Sequence, residues 1–233
     1  MKQILLVTEP TEAPGLCAIL RGINPDVQVD VVSTLNDLEA ATINPAADLR
    51  VITFLTGVIV PAEILQRLPG PAYNFHPGPP NIRGLFPAVY ALYEGHDTFG
   101  VTAHEVAPEI DSGPIVAVLR TEISLHIDRL ALETMSRDLL TDLFTTLAPG
   151  LMMIEAPLAA CDEMWSGTRH TRTDFEALCT MPHDVDDAEF RRRYRAIHEG
   201  PDHALKLTRF GRTFSMDPAP ASGPVVKGGK AVD

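Results

Sequence analysis

The stretch Tyr73–Pro87, YNFHPGPPNIRGLFP, ends an apolar run with an asparagine and a histidine two residues apart, then turns through Pro-Gly-Pro-Pro. Alternation along a strand puts residues i and i+2 on one face, so Asn74 and His76 point the same way. The prolines that follow cannot donate to a ladder and drive the chain off the sheet. Two hydrogen-bonding side chains thus stand at the carboxyl end of a strand, where open α/β sheets bind their ligands.

Working outward, KQILLV (2–7), VQVDVVS (27–33) and LRVITFL (49–55) read as strands before AYNFH (72–76). The segments between them, containing APGLCAILRGI, LNDLEAATI and PAEILQRLP, have helical length and periodicity. Alternating βα units predict a Rossmann-like α/β fold, a mostly parallel sheet flanked by helices. Downstream, PAVYALYEG predicts a short helix stopping at Gly95, TFGVTAHEVA and PIVAVLRTEI two strands, and DRLALETMSRDLLTDLFTTLA a long amphipathic helix. Gly150 to Arg172 carries no clear period. A small C-terminal extension follows, with Asp187 as a helix N-cap and HALKLTRFGRTFSMD as a β-hairpin turning at Gly211. The expected organisation is a catalytic part over 1–168, the helix-plus-hairpin extension over 169–216 and a disordered tail over 217–233.

Composition narrows the function classes. The 233 residues are 45% hydrophobic, enough for a real core and one α/β domain with an appendage. No run approaches the roughly 18 apolar residues of a membrane span, and Met1–Val7 lacks signal-peptide character, so a cytoplasmic protein is expected. Cys17, Cys161 and Cys179 have no CxxC spacing and read as reduced core thiols. The net charge of −12 is uneven: residues 1–168 carry 8 Lys/Arg against 21 Asp/Glu, whereas 169–212 carry 9 against 8. An acidic body repels phosphate backbones and argues against a nucleic-acid partner. Arg191–Arg195, RRRYR, reads as a solvated helix face whose arginines could still meet one substrate's phosphates. VTEPTEAPG after the first strand has neither a GxGxxG nor a P-loop lysine, which argues against a dinucleotide enzyme. No Cys/His spacing suggests a metal site.

Further along, FGVTAHEVAPEIDSGPIV supplies His104 on a strand and Asp111 in a turn before Ser-Gly-Pro. Taken singly, a strand-end histidine fits a structural role and an aspartate before Ser-Gly fits a turn.

Together, Asn74, His76, Pro77, Arg83, Gly84, Gly100, Thr102, His104, Val106, Asp111, Gly113, Pro114 and Ile115 resemble the active-site pattern of the 10-formyltetrahydrofolate-dependent formyltransferase family. The resemblance covers residues 48–148 well and the rest more loosely. It implies the formyltransferase fold and formyl transfer from 10-formyltetrahydrofolate, a co-substrate, to an amine, with no metal. Asn74 and His76 would donate hydrogen bonds to the tetrahedral oxyanion, a stabilisation of about 3 kcal/mol per donor. Asp111 would hold His76 and relay the amine proton, directly or through water. Thr102 and His104 would stand behind them, His104 as an orienter or a packed core histidine. By the same matching the folate would lie against Thr56, Gly57, Val58 and Ile59 and against Val106, Pro108, Glu109 and Ile110.

The acceptor reading rests on departures from the family's best-known members. The chain lacks their Ser-Leu-Leu-Pro loop, a Gly-Ser phosphate cradle after the first strand and a basic C-terminal barrel. Its short extension is similar to that of formyltransferases acting on nucleotide-linked 4-amino-4,6-dideoxysugars, which implies a nucleotide-sugar amine as acceptor. Arg83, Arg192 and Arg195 would then meet the diphosphate, and a homodimer is admitted. A formyltetrahydrofolate hydrolase, a methionyl-tRNA formyltransferase-like enzyme and a non-catalytic folate-binding protein stay open as alternatives.

Overall fold

The computed structural model describes residues 2–197 and 204–216. The expected disordered tail, residues 217–233, lies outside them. The first half runs β1 (Gln3–Thr8), α1 (Ala13–Ile23), β2 (Gln28–Val32), α2 (Leu35–Ala41), β3 (Leu49–Phe54), α3 (Ala62–Arg67), β4 (Tyr73–His76), β5 (Arg83–Gly84) and α4 (Pro87–Glu94). It continues through β6 (Thr98–Glu105), β7 (Ile115–Glu122), α5 (Arg129–Leu151), β8 (Arg169–His170), α6 (Arg172–Cys179), β9 (Thr180–Met181), α7 (Asp187–Ile197), β10 (Lys206–Arg209) and β11 (Arg212–Ser215).

Six strands form one sheet in the order β2-β1-β3-β4-β6-β7. The first four pair in parallel, and the central pair β1 and β3 carries the near-continuous apolar runs expected where helices cover both faces. At β4 the direction changes, because β6 pairs antiparallel with both β4 and β7. This change of direction falls beside the Asn-x-His strand.

Alternation along β4 divides its side chains cleanly. Tyr73 and Phe75 enter the main core, where the rings of Phe54, Phe75 and Phe144 meet with centroids 5.1–5.9 Å apart. Asn74 and His76 take the opposite face. Helix α5 closes the core with Leu140, Leu143, Phe144, Ala148 and Leu151. It runs through Pro149 to Leu151, past the expected stop, because Arg50 caps its carboxyl end. That buried guanidinium on β3 donates to the carbonyls of Gly150, Leu151, Ile154 and Ala156 and lies 5.2 Å from the Tyr73 ring centroid.

A second core joins the C-terminal elements to α4. Val89, Leu92, Phe99 and Leu132 pack there with Phe175, Leu178, Met181, Ala196 and Ile197. Helix α6, which the sequence pattern did not define, starts from a capping box between Thr171 and Asp174. The next helix does begin at Asp187, but the cap is Asp186, whose Oδ1 accepts from Glu189 N at 2.8 Å. The hairpin β10–β11 turns at Phe210–Gly211, both with positive φ, as a two-residue hairpin requires. Cys17 and Cys179 are buried free thiols as expected, whereas Cys161 is exposed because it lies on the irregular segment after α5. Among the described residues no helix is long and apolar enough to cross a membrane.

Candidate active site

The site follows from register. In the β4/β6 pairing Asn74 stands opposite His104, and His76 opposite Thr102. Residues directly opposite in an antiparallel pair share a face, so all four side chains project to one side. Asp111 comes from the loop between β6 and β7, with φ 48°. Its neighbour Gly113 makes that turn possible, since a Cβ there would lie 2.0 Å from the carbonyl oxygen of Glu105. The loop after β4 needs glycine for a related reason: a Cβ on Gly78 would meet His76 Nε2 at 2.7 Å. That close approach explains the Gly of PGPP.

The result is a buried carboxylate between two imidazoles. Asp111 Oδ2 lies 3.5 Å from His76 Nδ1, and Oδ1 lies 3.4 Å from His104 Nε2. Gly84 N donates to Asp111 Oδ2 at 2.7 Å. Carbonyl oxygens only accept, which fixes the donors on both rings. His76 Nε2 donates to Ile82 O at 3.0 Å, and His104 Nδ1 donates to Glu105 O at 2.7 Å. In the neutral ring His104 Nε2 then accepts from Asn74 Nδ2 at 3.0 Å, while Asn74 Oδ1 accepts from Thr53 Oγ1 at 2.6 Å. One amide hydrogen of Asn74 is used in this chain, and the second has no partner among the described residues. Thr102 Oγ1 donates to Gly78 O and so ties β6 to the loop after β4.

Electrostatics separates the roles. Burial pushes the Asp111 carboxyl up, but the side-chain contact with His104, the positive charge that His76 carries when protonated and the Gly84 N–H outweigh it and hold the group at about 2. Burial lowers His76 below its usual 6.5, more than Asp111 raises it. An ionised carboxylate therefore faces an unprotonated Nδ1. A proton arriving on either group comes to lie in a charge-assisted hydrogen bond between them. This differs in one respect from the expected arrangement: the N–H of His76 is spent on Ile82 O, so the ring offers a proton-accepting edge to Asp111, and Asn74 holds the open donor.

The other expected residues fall in two places. Val58 and Val106 pack on the same apolar cluster; the segment Thr56–Ile59 follows β3, and Val106 N donates to Ala72 O just before β4. Arg83 clamps the aspartate loop, with Nε donating to Asp111 O at 2.8 Å and Nη2 to Ile110 O at 3.3 Å. Arg192 and Arg195 lie on α7, which packs against α4. Arg192 engages Glu189 at 3.2 Å and the Tyr93 ring at 4.2 Å, and Arg195 Nη2 is buried with no hydrogen-bond partner among the described residues. Among the described residues no group of three or more His, Cys, Asp or Glu is placed to hold a metal ion.

Several contributors escaped the sequence reading. Thr53 was signalled only as a polar residue inside an apolar strand. Trp165, from the segment without a period, meets both imidazoles. Leu55 and Phe86, with Asp111, are three of the four non-glycine residues with positive φ among those described. Leu55 and Phe86 both line a pocket of about 240 Å³ next to Pro77. Backbone conformations of this kind concentrate at functional sites.

The formyl transferase family model matches residues 31–145. The chain is 28% identical over 152 residues to the dTDP-4-amino-4,6-dideoxyglucose formyltransferase of Mycobacterium bovis, 60% of this chain and 60% of that protein's length. A sugar N-formyltransferase from Shewanella superposes with a TM-score of 0.75 at 20% identity, covering 95% of this chain and 98% of that one. An N-formyltransferase from Helicobacter canadensis in complex with folinic acid and dTDP-3-aminofucose gives a TM-score of 0.68 at 14% identity, covering 91% and 85%. At those identities the two structures establish the fold. The family match spans the strands that carry Asn74, His76 and His104 and the loop that carries Asp111.

Proposed function

We propose that this protein transfers the formyl group of 10-formyltetrahydrofolate to the amine of a nucleotide-linked 4-amino-4,6-dideoxysugar, with residues 1–168 as the catalytic part and 169–216 as the extension. The observation that carries the reading is the arrangement of Asn74, His104, Asp111 and His76: an open amide hydrogen beside an ionised carboxylate that faces an unprotonated imidazole nitrogen. Formyl transfer between nitrogens needs those two functions, a donor for the oxyanion and a basic pair for the amine proton. The segments Thr56–Ile59 and Val106–Ile110, both packed on one apolar cluster through Val58 and Val106, would hold the folate, whose part is to supply the formyl carbon. The Asn74 amide would stabilise the oxyanion that develops, and Asp111 with His76 would take the proton released by the attacking nitrogen. The sugar acceptor is supported by the Mycobacterium bovis and Shewanella relatives.

The test follows tetrahydrofolate release with and without a panel of amino-sugar nucleotides. Release that requires one of them, with a formylated sugar as product, supports the proposal. Acceptor-independent release at full rate would favour a hydrolase, and formyl-methionyl-tRNA formed with equal efficiency would defeat the sugar assignment. Thermal stabilisation by the cognate nucleotide gives an independent readout, since a ligand of the native state raises its Tm.

A further inference from the structure

We infer that Trp165 is a positioning residue for the proposed transfer, a wall that holds the aspartate turn in place and keeps solvent from the two imidazoles. The inference rests on the reading above but on different observations. Trp165 is the chain's one tryptophan. Its Nε1–H donates to Gly113 O at 2.7 Å, two residues beyond Asp111. Its ring meets His104 at 4.9 Å and 89° and His76 at 5.9 Å and 72°, both edge-to-face arrangements. Those two imidazoles and the Asp111 carboxylate are almost wholly buried, between 3 and 5% exposed.

On its other side the indole lines a cleft of about 320 Å³, shared with Ser112, Gly113, Glu163 and Met164. The ring thus stands between an open cleft and the buried polar group. The segment that carries it is stitched to both loops of the site and to β7. Ser166 N donates to Pro80 O at 3.0 Å, Cys161 N donates to Ile115 O at 2.8 Å, and Arg120 donates to both oxygens of Glu163 at 2.6 and 2.9 Å. A strap fastened at so many points fixes the indole and, through Gly113, the turn that aims Asp111.

Removing the indole joins the cleft to the imidazoles, admits water beside Asp111 and loosens its turn. Because Trp165 is not among the residues proposed to hold the folate or the acceptor, the loss falls on turnover rather than on binding. Trp165→Ala should lower kcat by about tenfold or more with the KM of the folate donor within about twofold. It should also raise acceptor-independent release as a share of total release. Trp165→Phe keeps a smaller aromatic ring, loses the bond to Gly113, and should recover most of the rate. Wild-type kcat in folded Trp165→Ala, or a loss confined to KM, would overturn the inference.

A measurement on the unaltered protein needs no substrate. Protonation of an imidazole in contact with an indole quenches its emission, and the charged groups about the rings are His76, His104, Asp111 and Arg83. Trp165 emission should fall as pH is lowered from 8 towards 4 while circular dichroism stays native, and the step should shrink in His76→Gln. Emission flat across that range and identical at pH 8 in wild type and His76→Gln overturns the contact whatever the activity, so failure of this inference and failure of the proposed reaction are told apart.

Discussion

Replacing Asp111 by asparagine keeps the shape of the side chain and removes its charge, so it measures what the buried carboxylate is worth. The group titrates at about 2 in the folded protein against an ordinary 3.8. A separation of nearly two pH units makes ionised Asp111 a stabilising group, by roughly 2–3 kcal/mol. The sign follows from the depression: the contribution is complete well above pH 3.8 and is lost as pH falls through about 2. Asp111→Asn should therefore be less stable than wild type at pH 7, by roughly 2–3 kcal/mol, with about half that deficit left at pH 3. Urea unfolding followed by circular dichroism at the two pH values gives both numbers. The same variant should lose at least about a hundredfold in turnover. An asparagine variant as stable as wild type at pH 7, or more stable, would refute the reasoning. It would mean that the cost of burying the carboxylate exceeds what the Gly84 N–H and the two imidazoles return.

Other expectations can be checked with the same methods. His76 binds its proton less readily when folded than the usual 6.5, so the unfolded chain gains protons first and stability should decline as pH drops below 6.5. His76→Gln should flatten that decline, and an unchanged acid profile would remove His76 as its source. Wild-type turnover should fall on the acid side with an apparent pKa below 6.5, and a limb well above that value would contradict the neutral, buried ring. Arg50→Met should cost about 3–5 kcal/mol in urea unfolding, because it leaves two carbonyls at the end of α5 and two in the segment just after it without their donor. A loss under about 1 kcal/mol would show that other donors replace it. Gly113→Ala forces a contact of 2.0 Å with Glu105 O and should cost both stability and most activity; near wild-type values in purified protein would mean the turn moves freely.

Local patterning made the sheet legible. Each strand before the site is a short apolar run bounded by turn residues, and the expected LRVITFL and AYNFH overlap β3 and β4 almost throughout. The pairing of Asn74 with His76 was legible too, because it depends only on alternation. What escaped depends on contacts between distant parts of the chain. Nothing local in LRVITFL shows that its arginine will cap a helix a hundred residues later. Nothing in DEMWSG shows that its tryptophan will meet two histidines from separate strands. The donor on His76 eluded the sequence for the same reason, since it is fixed by a carbonyl six residues away that only the fold of PGPPNI brings within reach. The cap at Asp186 rather than Asp187 is a milder case. Both are aspartates, and only helix phase decides which oxygen meets the free N–H.

The register between β4 and β6 has a consequence for how this protein could change. Because Asn74 faces His104 through a backbone ladder, their alignment does not depend on the identity of the surrounding loops. A loop at the rim can be lengthened, shortened or exchanged while the strands stay in step, whereas a slip of one residue would turn the ring of His104 to the far face of the sheet. Variation is thus cheap at the rim and ruinous in the weave. Redesign for a different acceptor should confine its substitutions to the loops and leave every residue from Tyr73 to His76 and from Thr102 to Glu105 as it stands.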